Sequence, residues 1–191
     1  MSMGLEPSDL LPGERKLMTK GANLIVSVKE AGLSRFIGDK YMWVTGMQGK
    51  EAIGGLVHLT NYRLIFKSHF MNRLRGSHSI FLPNITSITK GFNRLHIDTE
   101  IQQFTFVIWF WTAFIENTQK AANSFSPEGI ATLQNLVTTH PEIIGPGLQK
   151  WATLEVLNQI ASAGLKVHEV VHKLSGTDKN TFLEFLSLMQ K

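Results

Sequence analysis

Two segments of the chain carry residue types at spacings that can do chemistry. The first is His168-Glu-Val-Val-His172. On a helix, residues four apart share a face, so His168 and His172 can hold one zinc ion while Glu169 serves as general base. The available third ligand is Glu184, on a following short helix. Against this, the histidines flank an apolar stripe of Val167, Val170, Val171 and Leu174, as boundary residues of a packing helix do. No strand pattern that could align a substrate stands just upstream. The reading is therefore no resident metal and no cofactor, with His168, His172 and Glu184 kept as the metal candidates.

The second segment is Ser68-His-Phe-Met-Asn-Arg-Leu-Arg-Gly-Ser77. It places Phe70, Met71 and Leu74 among the cations Arg73 and Arg75, with Lys67 just before it. Loops that meet a membrane surface need this mixture. Apolar side chains enter the interface while each cation near anionic headgroups is worth about 1 kcal/mol. The alternative is a hairpin loop whose apolar residues fold back on the core.

Other chemistries are excluded. The chain has no cysteine, which removes disulfides, thiolate metal sites and thiol nucleophiles. It has neither a phosphate-cradling glycine loop nor a Gly-x-Ser-x-Gly elbow. Asp98 and Glu100, two apart at a strand end, fit a solvated hairpin better than an acid–base pair. No catalytic residue is assigned, and a non-enzymatic protein is expected.

Charge is uneven along the 191 residues. Residues 1–124 hold 14 Lys/Arg against 9 Asp/Glu, and 125–191 hold 5 against 6. No carboxylate occurs between Glu51 and Asp98, where Arg63, Lys67, Arg73, Arg75, Lys90 and Arg94 stand. Such a run is either a solvated sheet surface or a face that attracts anions. No nucleic-acid recognition signature accompanies it, so none is expected as partner. The opening MSMGLEPSDLLPGE lacks a basic region followed by an apolar run. The longest apolar stretch, Phe104 to Ile115, falls short of the roughly 20 residues a bilayer span needs. A soluble, cytoplasmic protein is expected, in peripheral contact with a membrane if the loop acts as proposed.

The elements that must position the loop are short strands. Leu24–Val28, Tyr41–Thr45, Ile53–Thr60, Tyr62–Phe66, Ser79–Leu82, Ile85–Thr89, Leu95–Asp98 and Gln103–Trp109 are eight apolar or alternating runs bounded by turn residues, and a sheet of about seven strands is expected from them. Asn61 marks a tight hairpin over 53–67. Phe104, Phe106, Ile108 and Phe110 line one face of the last strand; Val107, Trp109 and Trp111 line the other. A strand apolar on both sides needs cover on both. Thr112 starts a helix to about Asn123, with Phe114, Ile115 and Ala122 inward.

From Ser126 the period becomes helical. Ser126-Pro-Glu128 is an N-cap, a proline at the first position and an acidic first turn, before Ile130, Leu133 and Val137. A helix through Trp151, Leu154, Leu157 and Ile160 is expected next. A last helix capped by Thr177 would bury Phe182, Phe185, Leu186 and Met189. The doubly apolar strand at 104–111 is the first candidate to receive these helices.

Gly54-Gly-Leu-Val-His-Leu-Thr-Asn-Tyr-Arg-Leu-Ile-Phe-Lys67 resembles the central hairpin of GRAM domains, and Pro12-Gly-Glu14 is similar to their start. The resemblance covers roughly residues 10–123. It implies a pleckstrin-homology-like fold, the fold of the GRAM domain beside the phosphatase of myotubularins. That phosphatase is not present, since its nucleophile is a cysteine. Two departures stand out: Ala31–Asp39 looks like an insertion, and the C-terminal helices match nothing in the family pattern. Met47-Gln-Gly-Lys50, at the first hairpin loop, offers only Lys50 to a headgroup. Any lipid binding is therefore expected to be loose and salt-sensitive. In the hairpin, Leu64 and Phe66 alternate inward and Arg63 faces out, for an ion pair or a ligand.

The expectation is an α+β protein. A GRAM-like, pleckstrin-homology-like antiparallel barrel or sandwich spans 10–124, and a helical region spans 125–191. The expected function is binding to an anionic phospholipid surface through Lys50, Arg63, Lys67, Phe70, Met71, Arg73, Leu74 and Arg75. The rival is a protein–protein adaptor acting through the C-terminal helices.

Overall fold

The computed structural model describes residues 4–29, 47–72, 74–144 and 176–191, with backbone only at 141–142, 176–180 and 182. The expected strand Tyr41–Thr45 and the helix through 151–160 lie outside these residues.

Seven antiparallel strands form one curled sheet: β1 (Lys16–Ser27), β2 (Lys50–Thr60), β3 (Arg63–Ser68), β4 (Ser77–Phe81), β5 (Ile85–Gly91), β6 (Arg94–Thr99) and β7 (Gln103–Ile108). Their order is β4-β3-β2-β1-β7-β6-β5. β1 joins the two halves, pairing with β2 along its length and with β7 over Ala22–Ile25. It starts at Lys16, well before the apolar run at Leu24, because its first half is carried by pairing and not by its own hydrophobicity. The curl encloses Leu24, Val57, Leu59, Leu64, Phe66, Ile80, Leu95, Ile97, Phe104, Phe106 and Ile108. These sit at the alternate positions that a pleated strand turns to one side. Helix α1 (Thr112–Ala122) closes the half-barrel with Phe114, Ile115 and Thr118 buried. This is the pleckstrin-homology-like arrangement, an antiparallel half-barrel followed by a helix.

Gly55 shows how closely the sheet is packed. A Cβ there would stand 2.2 Å from the Lys67 carbonyl oxygen and 2.9 Å from Phe66 Cζ. No side chain fits between these strands.

Two expectations for β7 are corrected. Phe104, Phe106 and Ile108 point inward, but the strand ends at Ile108, and Trp109 and Phe110 are exposed. Phe110 has φ +55°, a left-handed conformation that takes it off the inward side. On the outer side of β7 Thr105 and Val107 are half-buried, and the described helices after α1 do not pack chiefly there.

They pack instead at the β4 edge of the sheet. Helix α2 (Pro127–Thr139) is capped as expected, the Ser126 hydroxyl accepting from Gly129 N at 3.1 Å, and Leu133 and Val137 are buried. A short helix α3 (Pro141–Ile144) follows. Helix α4 (Gly176–Met189) lies against β4. Phe185 and Leu188 of α4 share a second core with Leu11, Phe81, Leu133, Val137 and Ile144.

The buried face of α4 includes Thr181, Glu184, Phe185 and Leu188. It has the expected helical spacing, turned by one residue from the Phe182–Phe185–Leu186–Met189 set; Leu186 is half-buried and Met189 exposed. The polar members are buried because the sheet edge supplies their partners. The Ser79 N–H donates to Thr181 Oγ1 at 3.2 Å, and Asn84 Nδ2 donates to the Glu184 carbonyl at 2.8 Å. An edge strand with unpaired backbone groups is thereby covered.

Candidate functional site

The hairpin motif that carries the family resemblance folds into a knot at one end of the sheet. Arg63 is 1% exposed, so the expected outward position is corrected. Its Nε and Nη2 meet Glu14 Oε1 and Oε2, each at 3.0 Å, in the two-pronged geometry that guanidinium and carboxylate share. Nη1 donates to Ser79 Oγ at 2.9 Å, and Nη2 also donates to the Asp9 carbonyl at 2.8 Å. Glu14 is satisfied further by Leu11 N and Thr60 Oγ1, both at 2.7 Å. Asn61 ties the same segment down: its Oδ1 accepts from Arg15 N at 2.7 Å and its Nδ2 donates to the Gly13 carbonyl at 3.2 Å. Gly13 sits at φ +75° with Tyr62 Oη 3.1 Å from where a Cβ would be. Pro12-Gly-Glu14 and Thr60-Asn-Tyr-Arg63 are therefore one hydrogen-bonded unit. Burying an ion pair is tolerated when its remaining donors and acceptors are met, as they are here.

Lys67 is also engaged. Its Nζ donates to Asp9 Oδ2 and to the Gly4 carbonyl, at 2.8 and 2.9 Å. Partial burial raises the Asp9 carboxyl, but the bonds from Lys67 and from Glu6 N outweigh it, leaving a value below the ordinary one. Arg63 and Lys67 thus fix the amino-terminal turn and are not presented to a ligand.

The β3–β4 loop is different. Its base is held by backbone: Ser68 N donates to the Gly76 carbonyl at 3.0 Å, Gly76 N to Ser68 Oγ at 2.9 Å, and His69 N to the Gly54 carbonyl at 2.8 Å. Asn72 Nδ2 donates to the Gly54 and His69 carbonyls, at 2.5 and 3.0 Å. Above this base Phe70 is 57% and Met71 76% exposed. The Phe70 ring lies against His69, centroids 4.4 Å apart and planes tilted by 32°, and His69 Nδ1 accepts from Met71 N at 3.2 Å. Arg75 and Lys50 are exposed, whereas Leu74 is half-buried against the main core and leaves the expected set of apolar anchors. Arg73 lies outside the described residues. The loop offers a pinned base and two apolar tips, with Arg75 exposed in the same loop.

The metal candidates are not assembled by the described residues. His168 and His172 lie outside them. Glu184 is buried under α4, where Oε1 accepts from Thr99 Oγ1 at 3.0 Å and Oε2 from Asn84 Nδ2 at 3.2 Å. Burial raises its carboxyl above the ordinary value, against the lowering effect of its hydrogen bonds. Its role there is in docking α4. Among the described residues no group of three His, Asp or Glu is placed to hold a metal.

Sequence reasoning missed a second exposed apolar set: Phe92 in the β5–β6 turn, with Trp109 and Phe110 at the exit of β7. Only the Gly91-Phe-Asn93 turn pattern could have pointed to Phe92, since turn tips are solvated.

Among the described residues no helix is long and apolar enough to cross a membrane. No family model matches the sequence, and no curated protein matches it significantly. Solved structures similar to the chain include the C-terminal domain of an unknown protein from Leishmania infantum. It is 13% identical with a TM-score of 0.40, over 58% of this chain and 85% of that one. The N-terminal PH domain of Vps36 is 15% identical with a TM-score of 0.39, over 60% of this chain and 83% of that one.

Proposed function

We propose that the protein is a non-catalytic, GRAM-like binding module that associates peripherally with anionic phospholipid surfaces through the β3–β4 loop. The observation that carries this reading is the loop itself. Phe70 and Met71 stand in solvent on a base fixed by backbone hydrogen bonds, so their exposure belongs to a held conformation. Apolar tips on a rigid base enter an interface without a large ordering cost, and Arg75 and Lys50 supply the cations that meet headgroups. With Arg63 and Lys67 engaged elsewhere, few cations remain for the task, which argues for weak, salt-sensitive attachment and against a tight headgroup pocket.

The adaptor alternative has lost the inner face of α4, whose Thr181, Glu184, Phe185 and Leu188 are spent on the sheet edge. Sedimentation with vesicles of phosphatidylcholine alone, or mixed with phosphatidylserine, tests the reading. Binding to the mixed vesicles that weakens at moderate salt and in Lys50→Glu/Arg75→Glu is expected. Absence of binding at low salt to both vesicle types would overturn it.

A further inference from the structure

The β7 exit departs from the pattern that governs the rest of its strand. Phe104, Phe106 and Ile108 alternate inward, and a continued strand would send Phe110 inward as well. Instead Phe110 takes a left-handed backbone conformation and is 89% exposed, and Trp109 is 70% exposed. A bulky aromatic side chain rarely adopts this conformation, so both backbone and solvation work against the placement. Neighbouring strands add to it. Leu95 pairs with Phe106 and Gly91 with Arg94, which brings the Phe92–Asn93 turn to the same end of β6 that adjoins the β7 exit. Phe92 is 93% exposed at that turn.

The surroundings are basic. Lys90 and Arg94 flank Phe92, and Lys20 lies on β1 two residues before Ala22, which pairs with Ile108. These strand ends carry no carboxylate; Glu116 on α1 is the acidic residue next along the chain from β7. The aromatic groups sit on a turn tip and a strand exit, so they project and do not line a groove. Projecting aromatic residues ringed by cations are complementary to a lipid–water interface with anionic headgroups, where aromatic rings settle at headgroup depth.

We propose that Phe92, Trp109 and Phe110 form a second interfacial anchor that inserts into the headgroup region of an anionic bilayer. The inference rests on the membrane reading of the β3–β4 loop, since both would meet one surface. Arg94 Nη2, next to the Phe92 turn, lies 3.9 Å from Met47 Sδ in the Met47–Lys50 turn. The two anchors would fix the orientation of the module as well as its attachment.

The test uses the full chain with phosphatidylcholine/phosphatidylserine vesicles containing acyl-brominated lipid. Trp109 is the reporter, and Trp109→Phe is the control for the other tryptophans. Quenching and a blue shift on vesicle addition, largely absent in Trp109→Phe, are expected. Phe92→Ser/Phe110→Ser should weaken partitioning on the order of tenfold. Binding unchanged in Phe92→Ser/Phe110→Ser but lost in Phe70→Ser/Met71→Ser would overturn the second anchor and leave the loop reading standing. No vesicle binding by the wild type would overturn both. A concentration-dependent dimer abolished by Phe92→Ser/Phe110→Ser, with vesicle binding unaffected, would assign the patch to a second copy and also overturn the inference.

Discussion

The knot around Glu14 and Arg63 and the β3–β4 loop adjoin the same strand, β3, yet treat charge in opposite ways. At the knot a guanidinium is removed from water and every donor it has near a partner is used. At the loop Arg75 remains solvated, and the apolar surface of Phe70 and Met71 is left in water. The difference separates what a motif residue is for from where it lies. The most specific part of the sequence pattern, Thr60-Asn-Tyr-Arg63, is spent on holding the amino-terminal turn to the sheet. The residues free to act lie beyond it, on positions the pattern does not define.

The largest expected effect breaks the knot. Arg63→Met leaves the Glu14 carboxylate buried without its counter-ion and should cost about 3–5 kcal/mol in urea unfolding. Replacing both partners with apolar residues should recover much of that loss. A cost close to zero for the single change would mean that Glu14 is not desolvated in solution.

Acid should act through His78. It is fully buried next to Phe66, its Nδ1 has no partner, and burial lowers its pKa to about 4. The folded value lies below the unfolded one, so the neutral ring favours folding above pH 6.5. That contribution is lost as pH falls toward 4, up to about 3 kcal/mol. His78→Leu should flatten this part of the pH–stability profile. Glu184 acts in the other direction: its raised carboxyl favours the folded state below its unfolded value and loses that contribution as pH rises through the folded one. Glu184→Gln should remove that opposing slope, read in the same titration.

A smaller effect is expected from Gly55→Ala, where the added methyl meets the Lys67 carbonyl and the strands must separate. About 1–3 kcal/mol of destabilisation is predicted, measured by thermal melting. Smallest of all, Phe70→Ser/Met71→Ser should change stability by no more than about 0.5 kcal/mol, since neither side chain is buried.

Much of the sheet was legible because local rules agree with the fold. Alternation and the Thr60-Asn61 turn placed the β2–β3 hairpin, and Ser126-Pro-Glu128 placed the start of α2. Arg63 was misplaced because its carboxylate partner lies 49 residues away, and strand alternation alone sends a charge outward. The stripe of α4 was shifted by one residue because Thr181 and Glu184 look solvent-facing until Ser79, Asn84 and Thr99 supply their partners. Phe110 could not be foreseen, since no periodicity encodes a left-handed aromatic residue at a strand end. In the loop, Phe70 and Met71 were read as exposed and are, whereas Leu74 turns in on the core.

The most direct test of the account is co-sedimentation of wild type and Phe70→Ser/Met71→Ser with phosphatidylserine-containing vesicles at low salt, with unfolding midpoints taken on the same preparations. Unchanged midpoints and a marked loss of vesicle binding in the variant are predicted. Equal binding by the two proteins would contradict the claim that the β3–β4 loop is the contact.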